Sequence, residues 1–319
     1  MHASGDAPPD DAGVLRPTSR AAPSESEGPR DWTQPIALPA RDADAPSLLL
    51  VHGFSGSPFE LHLLAQHLNA AGYQIAVPRL AGHHDTLATL AASTWGDWLA
   101  SAEQALHTLW QQTCARTDKP ALGIIGLSMG GLLSLDLARR YPAAQTAHAA
   151  SMPAIRALCT IASPLSLRPT QERAIRRFAR TPGLRRLAVP KLLGADVRDR
   201  THPPPLKPRG MPIVALNSLL DLMVHVRGGL SDVRQPALLL HAIQDHTAPY
   251  ASMAAIAAGL STPADQLRSV ALPRSYHLLP LDVEREIVFA EVAAHVARYV
   301  GSVPNGPAPA NGADVQRPD

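Results

Sequence analysis

From Ser47 to Val300, short runs of consecutive apolar residues alternate with longer stretches in which apolar positions recur every three or four residues. An uninterrupted apolar run bounded by turn residues suits a strand covered on both faces, and the three-to-four spacing marks a helix with one buried face. On this basis "SLLLVHGF" (47–54), "QIAVPRL" (74–80), "ALGIIGLS" (121–128), "IRALCTIAS" (155–163), "QPALLLHA" (235–242) and "LRSVALP" (267–273) read as strands. Between them, "SPFELHLLAQHLNAAG" reads as a helix with Ser57 as N-cap, Pro58 at the first position and Gly72 as the stop. Further helices are expected around 94–112, over 129–141 and over 281–300. Strands that alternate with helices and are apolar throughout predict an α/β fold: a mostly parallel central sheet with helices on both faces.

Residues 166–234 break this rhythm. They contain no convincing strand and read as helices joined by proline-rich turns such as "THPPPLKPRGMP", so they are expected to form a helical insertion over one edge of the sheet. This segment carries 14 Lys+Arg against 5 Asp+Glu, a local +9, which leaves −7 for the rest of a chain whose net charge is +2. The reading is an arginine-rich solvated face, or a lid that favours anionic substrates or interfaces. Residues 1–44, with seven prolines among Ser, Asp, Gly and Ala, read as a disordered head with a short strand at "QPIAL"; 301–319 read as a disordered tail. The domain is thus expected over 45–300.

Composition narrows the class. A 45% apolar content supports a sizeable core, and a net charge of +2 does not suggest a nucleic-acid partner. The first residues lack a basic start and an apolar stretch, and no apolar run reaches the roughly 20 residues of a membrane span, so a cytoplasmic protein without an integral membrane segment is expected. Of the two cysteines, Cys159 sits in an apolar run and reads as a buried thiol. The oligomeric state is not legible.

In open α/β sheets, ligands meet the carboxyl ends of the strands, so reactive residues are sought just after strands. Ser128 ends "ALGIIGLS" and is flanked by Gly126, Gly130 and Gly131, as a serine on a tight strand-to-helix turn requires. A serine hydroxyl needs a base. Of 14 histidines, His277 is best placed, in "RSYHLLP" after the last strand, whereas His62, His67, His107 and His295 lie on helix patterns. The imidazole needs a carboxylate to fix its tautomer. Asp245, in "IQDHTAP" after a strand, is the candidate; Asp282 is the rival, but a first-turn acid already has a reason in the helix dipole. Developing oxyanion charge would be met by the backbone N–H groups of Phe54, in "HGF", and Met129. In "GHHD" (82–85) the histidines are too close in sequence to converge readily on one ion, so no metal is expected.

Taken in order, "LLLVHGFSGSP", "AVPRLAGHHDT", "GLSMGG", "QDHTAP" and "SYHLLPLDVERE" resemble the α/β-hydrolase superfamily, and more closely its bacterial carboxylesterases and monoacylglycerol lipases with a small helical cap. The resemblance spans about 45–300 and implies Ser128 as nucleophile, Asp245 and His277 as its partners, Phe54 and Met129 as oxyanion donors, and 166–234 as the cap. One departure is visible: the family usually shows Gly-His-Gly where this chain has Gly82-His83-His84. The expected activity is hydrolysis of short- to medium-chain esters or monoacylglycerols without a cofactor. In "LNSLLDLMVHV" (216–226) Leu219, Leu220, Met223 and Val226 recur at helical spacing, which suits packing against the sheet or, where the stripe turns toward the site, an acyl chain held by Phe54, Leu219 and Met223. The alternative is a thioesterase or acyltransferase that uses the same residues on acyl-CoA-like substrates.

Overall fold

The computed structural model describes residues 30–142, 152–190, 196–199, 201 and 210–303. Residues Met1–Asp31 form one unit, of which only Arg30 and Asp31 are described, and the chain from Trp32 onward forms the other, to which every element below belongs. Most of the expected head (1–29), the end of the expected tail (304–319) and most of "THPPPLKP" lie outside the described residues.

Among the described residues, seven strands form the central sheet: β1 (Ile36–Leu38), β2 (Ser47–Val51), β3 (Gln74–Val77), β4 (Leu122–Leu127), β5 (Ile155–Ile161), β8 (Ala237–Ala242) and β9 (Leu267–Leu272). Their order is β1-β3-β2-β4-β5-β8-β9, all parallel except β1, which pairs antiparallel to β3 with Ile36 opposite Val77. The consecutive apolar residues are explained by the two faces. Leu48 and Leu50 of β2 pack with helices α1 (His62–Ala70) and α8 (Arg285–Tyr299), while Leu49 and Val51 face helices α3 (Trp95–Arg116) and α4 (Met129–Arg140). Ile124 and Ile125 of β4 divide in the same way. Alternate residues of a strand point to opposite faces, so a strand buried on both sides must be apolar at every position. Cys159 is buried in β5, both cysteines are free, and burial pushes the Cys159 thiol far above its ordinary range.

Two helices escaped the periodicity. Helix α2 (Leu87–Ala92) has only six residues and is held by a local device: Thr86 and Thr89 exchange backbone N–H and side-chain hydroxyl bonds of 3.0 and 3.1 Å. Helix α7 (Ala251–Gly259), which carries the chain from β8 to β9, is so rich in alanine that it shows little contrast between faces.

The insertion rises from between β5 and β8, two neighbouring strands in the interior of the sheet rather than its edge. Among the described residues its α-helices are α5 (Pro169–Arg180) and α6 (Ile213–Gly229). It also holds two short strands unforeseen in the sequence, β6 (Ala188–Val189) and β7 (Met211–Pro212), paired antiparallel. Helix α6 is the one helix among the described residues long and apolar enough to cross a membrane, but 56% of that stretch is buried in the fold. Leu219, Leu220, Met223 and Val226 join the same core as α3 and α4, which accounts for its hydropathy.

The β4–α4 junction is closed by the absence of side chains. A Cβ on Gly130 would stand 2.0 Å from the Val51 carbonyl oxygen, one on Gly126 2.2 Å from the Gly130 oxygen, and one on Gly131 1.8 Å from Ser163 Oγ. Backbone cannot yield there without separating the helix from the sheet. In contrast, His84 adopts φ +60°, a left-handed conformation that costs an L-residue on the order of 1 kcal/mol and costs glycine almost nothing. This is the position where the resembling family carries glycine. Urea unfolding should therefore separate two substitutions: Gly130→Ala loses about 3 kcal/mol or more, whereas His84→Gly gains up to about 1 kcal/mol. Equal and small effects would show that neither backbone constraint is real.

Candidate active site

Ser128 stands between β4 and α4 with φ +55° and ψ −122°, a conformation that a non-glycine residue holds only when its surroundings over-determine it. Here they do. Its N–H donates to the Ile161 carbonyl at 2.7 Å, its own carbonyl accepts from Gly131 N–H at 2.9 Å, and the glycines on either side let helix and strand close upon it. The tight turn presents Oγ at the carboxyl end of the sheet.

His277 reaches that hydroxyl from the loop after β9, with Nε2 3.0 Å from Ser128 Oγ. Its Nδ1 lies 2.7 Å from Oδ2 of Asp245, on the turn after β8. The second oxygen, Oδ1, accepts the N–H groups of Thr247 and Ala248, both at 2.8 Å. The side chain is fully buried. Burial alone would raise its pKa, but the His277 charge and the bonds from His241, His277 and Ala248 outweigh it and hold the carboxyl well below the ordinary range. His277 therefore faces a carboxylate, which accepts Nδ1–H and leaves Nε2 to accept the Ser128 proton.

Asp282, the rival carboxylate, does something else. Its Oδ1 accepts from the N–H groups of Arg198, Asp199 and Val283, and Oδ2 from that of Tyr276. It ties residue 276, next to His277, to a segment of the insertion. Leu278 N–H adds a bond to the Asp196 carbonyl at 2.8 Å.

Phe54 lies on the loop after β2. His52 fixes that loop: its Nε2 accepts the Leu80 N–H at 3.2 Å, so Nδ1 carries the proton and donates to the Gly53 carbonyl at 2.9 Å. The Gly53 N–H donates to Oε2 of the buried Glu60 at 3.2 Å. A Cβ on Gly53 would come within 3.2 Å of Ser128 Cβ, so glycine is what lets the loop approach. Met129 is the first residue of α4, and its N–H has no acceptor within its own helix. In the "GHHD" segment, His83 packs edge-on against His52, Phe54 and Trp98. Asp85 pairs instead with Arg79 at 3.7 Å. Among the described residues no group of three or more His, Cys, Asp or Glu is arranged to hold a metal.

A cavity of about 490 Å³ opens beside Ser128 and His277. Phe54, Leu219 and Met223 line it, together with Ile175 and Phe178 of α5 and Leu216 of α6. Leu220 and Val226 turn into the core instead. The polar residues of the wall include Glu60, Gln171, His246, Asp196 and Thr247, the last of which donates its Oγ1 hydrogen to Asp196 at 2.8 Å. Glu60, His52, Asp196 and His241 are the site residues that pattern reading misses. Glu60 looks like a first-turn helix acid, and His52 and His241 sit in strand-like runs where nothing marks them as polar anchors.

Comparison with known proteins shows the family and the fold. The family model described as serine aminopeptidase, S33, matches residues 43–284. A thermostable monoacylglycerol lipase of Bacillus sp. (strain H-257) is 29% identical over 258 residues, 80% of this chain and 91% of that protein. A carboxylesterase of Bacillus subtilis (strain 168) is 23% identical over 77% of this chain and 90% of its own length. Among solved structures, one from the metagenome-derived lipolytic enzymes LipS and LipT superposes with a TM-score of 0.71 at 26% identity, covering 84% of this chain and 98% of its own. A monoglyceride lipase variant from Saccharomyces cerevisiae, at 14% identity, shares the fold with a TM-score of 0.67 over 83% of this chain and 91% of its own. The chain belongs to the S33 serine aminopeptidase family of α/β-hydrolases and is a serine hydrolase of the carboxylesterase and lipase type.

Proposed function

We propose that the protein hydrolyses carboxylic esters with short- to medium-length acyl chains, monoacylglycerols among them, with Ser128 as nucleophile. The observation that carries this reading is the unbroken contact Ser128 Oγ–His277 Nε2–His277 Nδ1–Asp245 Oδ2, at 3.0 and 2.7 Å, on the floor of an apolar cavity. Ser128 Oγ attacks the ester carbonyl carbon as its proton passes to His277 Nε2. The negative oxygen that forms is met by the N–H groups of Phe54 and Met129. Collapse breaks the bond to the alkoxy oxygen, which leaves as the alcohol with the proton from His277. Water then attacks the acyl-enzyme, again with His277 as base, and the acid is released with Ser128 restored. The ionised Asp245 stabilises the imidazolium in both halves.

In this reading the insertion is the cap, and Phe54, Leu219 and Met223 hold the acyl chain. The cavity lies in the range that encloses a small ligand, which supports chains of short to medium length. Acyl-CoA-like thioesters, the alternative, would bring several phosphates, yet among the described residues those that line the cavity itself include no lysine or arginine. Comparing turnover of p-nitrophenyl butyrate with that of acyl-CoA at matched chain length decides between the two.

Two measurements test the proposal. With p-nitrophenyl butyrate, Ser128→Ala should abolish turnover, and Asp245→Asn should lower kcat about 10⁴-fold by leaving His277 in the wrong tautomer, with KM little changed. A variant that keeps a tenth or more of the wild-type kcat contradicts the assignment. Leu219→Trp and Met223→Trp should fill the cavity, so kcat/KM for p-nitrophenyl octanoate falls at least about tenfold relative to the butyrate. An unchanged ratio would mean that the acyl chain lies elsewhere.

A further inference from the structure

Helix α5 and the turn after it have a composition the reaction does not use. From Arg173 to Pro190 the chain carries six arginines and no acidic residue. Arg176 is committed to α6, where it meets Asp221 and Asn217, and Ile175 is the buried residue that seats the helix. The other five, Arg173, Arg177, Arg180, Arg185 and Arg186, are exposed and make no ion pair among the described residues. Arg173, Arg177 and Arg180 stand together along one shallow groove with Arg176, Thr181 and a single acid, Glu172, which accepts the Leu167 N–H at 2.9 Å. Like charges so close repel one another, which a solvated surface would relieve by interspersing acids.

Apolar side chains face the same solvent. Phe178, Leu184, Leu187 and Val189 are 38%, 37%, 52% and 38% exposed, within a stretch where nearly every residue is at the surface. These four are among only ten large apolar residues so exposed in the described chain, and they fall within twelve positions. Phe178, Val189 and Pro190 also line the cavity that holds Ser128, so the mouth of the site opens within this patch.

We infer that this face of the insertion, residues 173–190, docks on an anionic lipid surface. Unpaired cations interleaved with exposed apolar side chains suit that partner: arginines meet headgroup phosphates while leucine, phenylalanine and valine enter the boundary between headgroups and acyl chains. A nucleic acid would engage the arginines but leave Leu184 and Leu187 in water. An acidic protein would meet the charge, yet it gives no reason for the mouth of an apolar cavity to open among the cations. A lipid surface gives that reason, because an amphiphile could pass from it into the cavity. The inference concerns binding, and holds whatever bond Ser128 attacks.

Flotation of the full-length protein with phosphatidylcholine vesicles, with and without phosphatidylglycerol, tests this directly; the Ser128→Ala protein keeps binding separate from turnover. The expected result is at least about tenfold stronger partition onto the phosphatidylglycerol vesicles, falling as salt is raised. Arg177→Gln/Arg180→Gln/Arg185→Gln/Arg186→Gln should abolish that preference. Leu184→Ser/Leu187→Ser should weaken binding to the same vesicles, and neither variant should change hydrolysis of a soluble short-chain ester, since none of these six residues lines the cavity. Equal binding to both vesicles, or an arginine variant that partitions like wild type, overturns the inference. So does a leucine variant with wild-type partition when polyglutamate or duplex DNA competes fully, because the patch would then be a general polyanion site.

Discussion

The close approach of α4 to β2 is the constraint on which the rest of the site depends. With hydrogen in place of a Cβ at Gly130, the helix start lies against the Val51 carbonyl, and the chain can leave β4 through a left-handed residue at Ser128. The same contact sets the start of α4 against the Val51 and His52 carbonyls, and Gly53 allows the loop after β2 to come within contact of Ser128. The strained turn at Ser128 and the close approach of the loop after β2 thus follow from a single packing arrangement. The free energy for it comes from the strands on either side, which are apolar on both faces and buried throughout.

Around this junction, the polar groups are held by one another rather than by solvent. Asp245 stays ionised although it is buried, because its two oxygens accept from backbone N–H groups and from imidazoles. Each bond of this kind adds only on the order of 1 kcal/mol, but leaving a buried carboxylate without them costs several times that, so the set stands or falls together. Asp282 and Asp196 extend the same logic to the insertion, which is tied by backbone bonds to the loop that carries His277. A change in the insertion near 196–199 is thereby mechanically linked to His277.

The sequence made the sheet and the three candidate site residues readable because both follow from strong local rules. Buried strands leave unbroken apolar runs, and a parallel sheet brings the residues just after its strands to one end, which picked out Ser128, Asp245 and His277 from many serines, aspartates and histidines. What stayed hidden depends on contacts distant in the chain. Nothing local distinguishes Glu60 from an ordinary helix acid until Gly53 is seen to donate to it. Helix α7 lacks contrast between its faces, and β6 and β7 are too short to leave a pattern. The insertion appeared to cover an edge, since sequence order does not reveal that β9 lies beyond β8. Of the stripe on α6, spacing alone could not separate Leu219 and Met223, which reach the cavity, from Leu220 and Val226, which do not.

The central claim is that one serine, held in a strained turn, is the nucleophile. Incubation with a fluorophosphonate, followed by proteolysis and mass spectrometry, tests it most directly, since the reagent forms a stable bond with an activated serine. The account predicts stoichiometric modification confined to Ser128, lost in Ser128→Ala and strongly slowed when His277 is replaced. Modification at another serine, or none under conditions where the protein turns over esters, would contradict it.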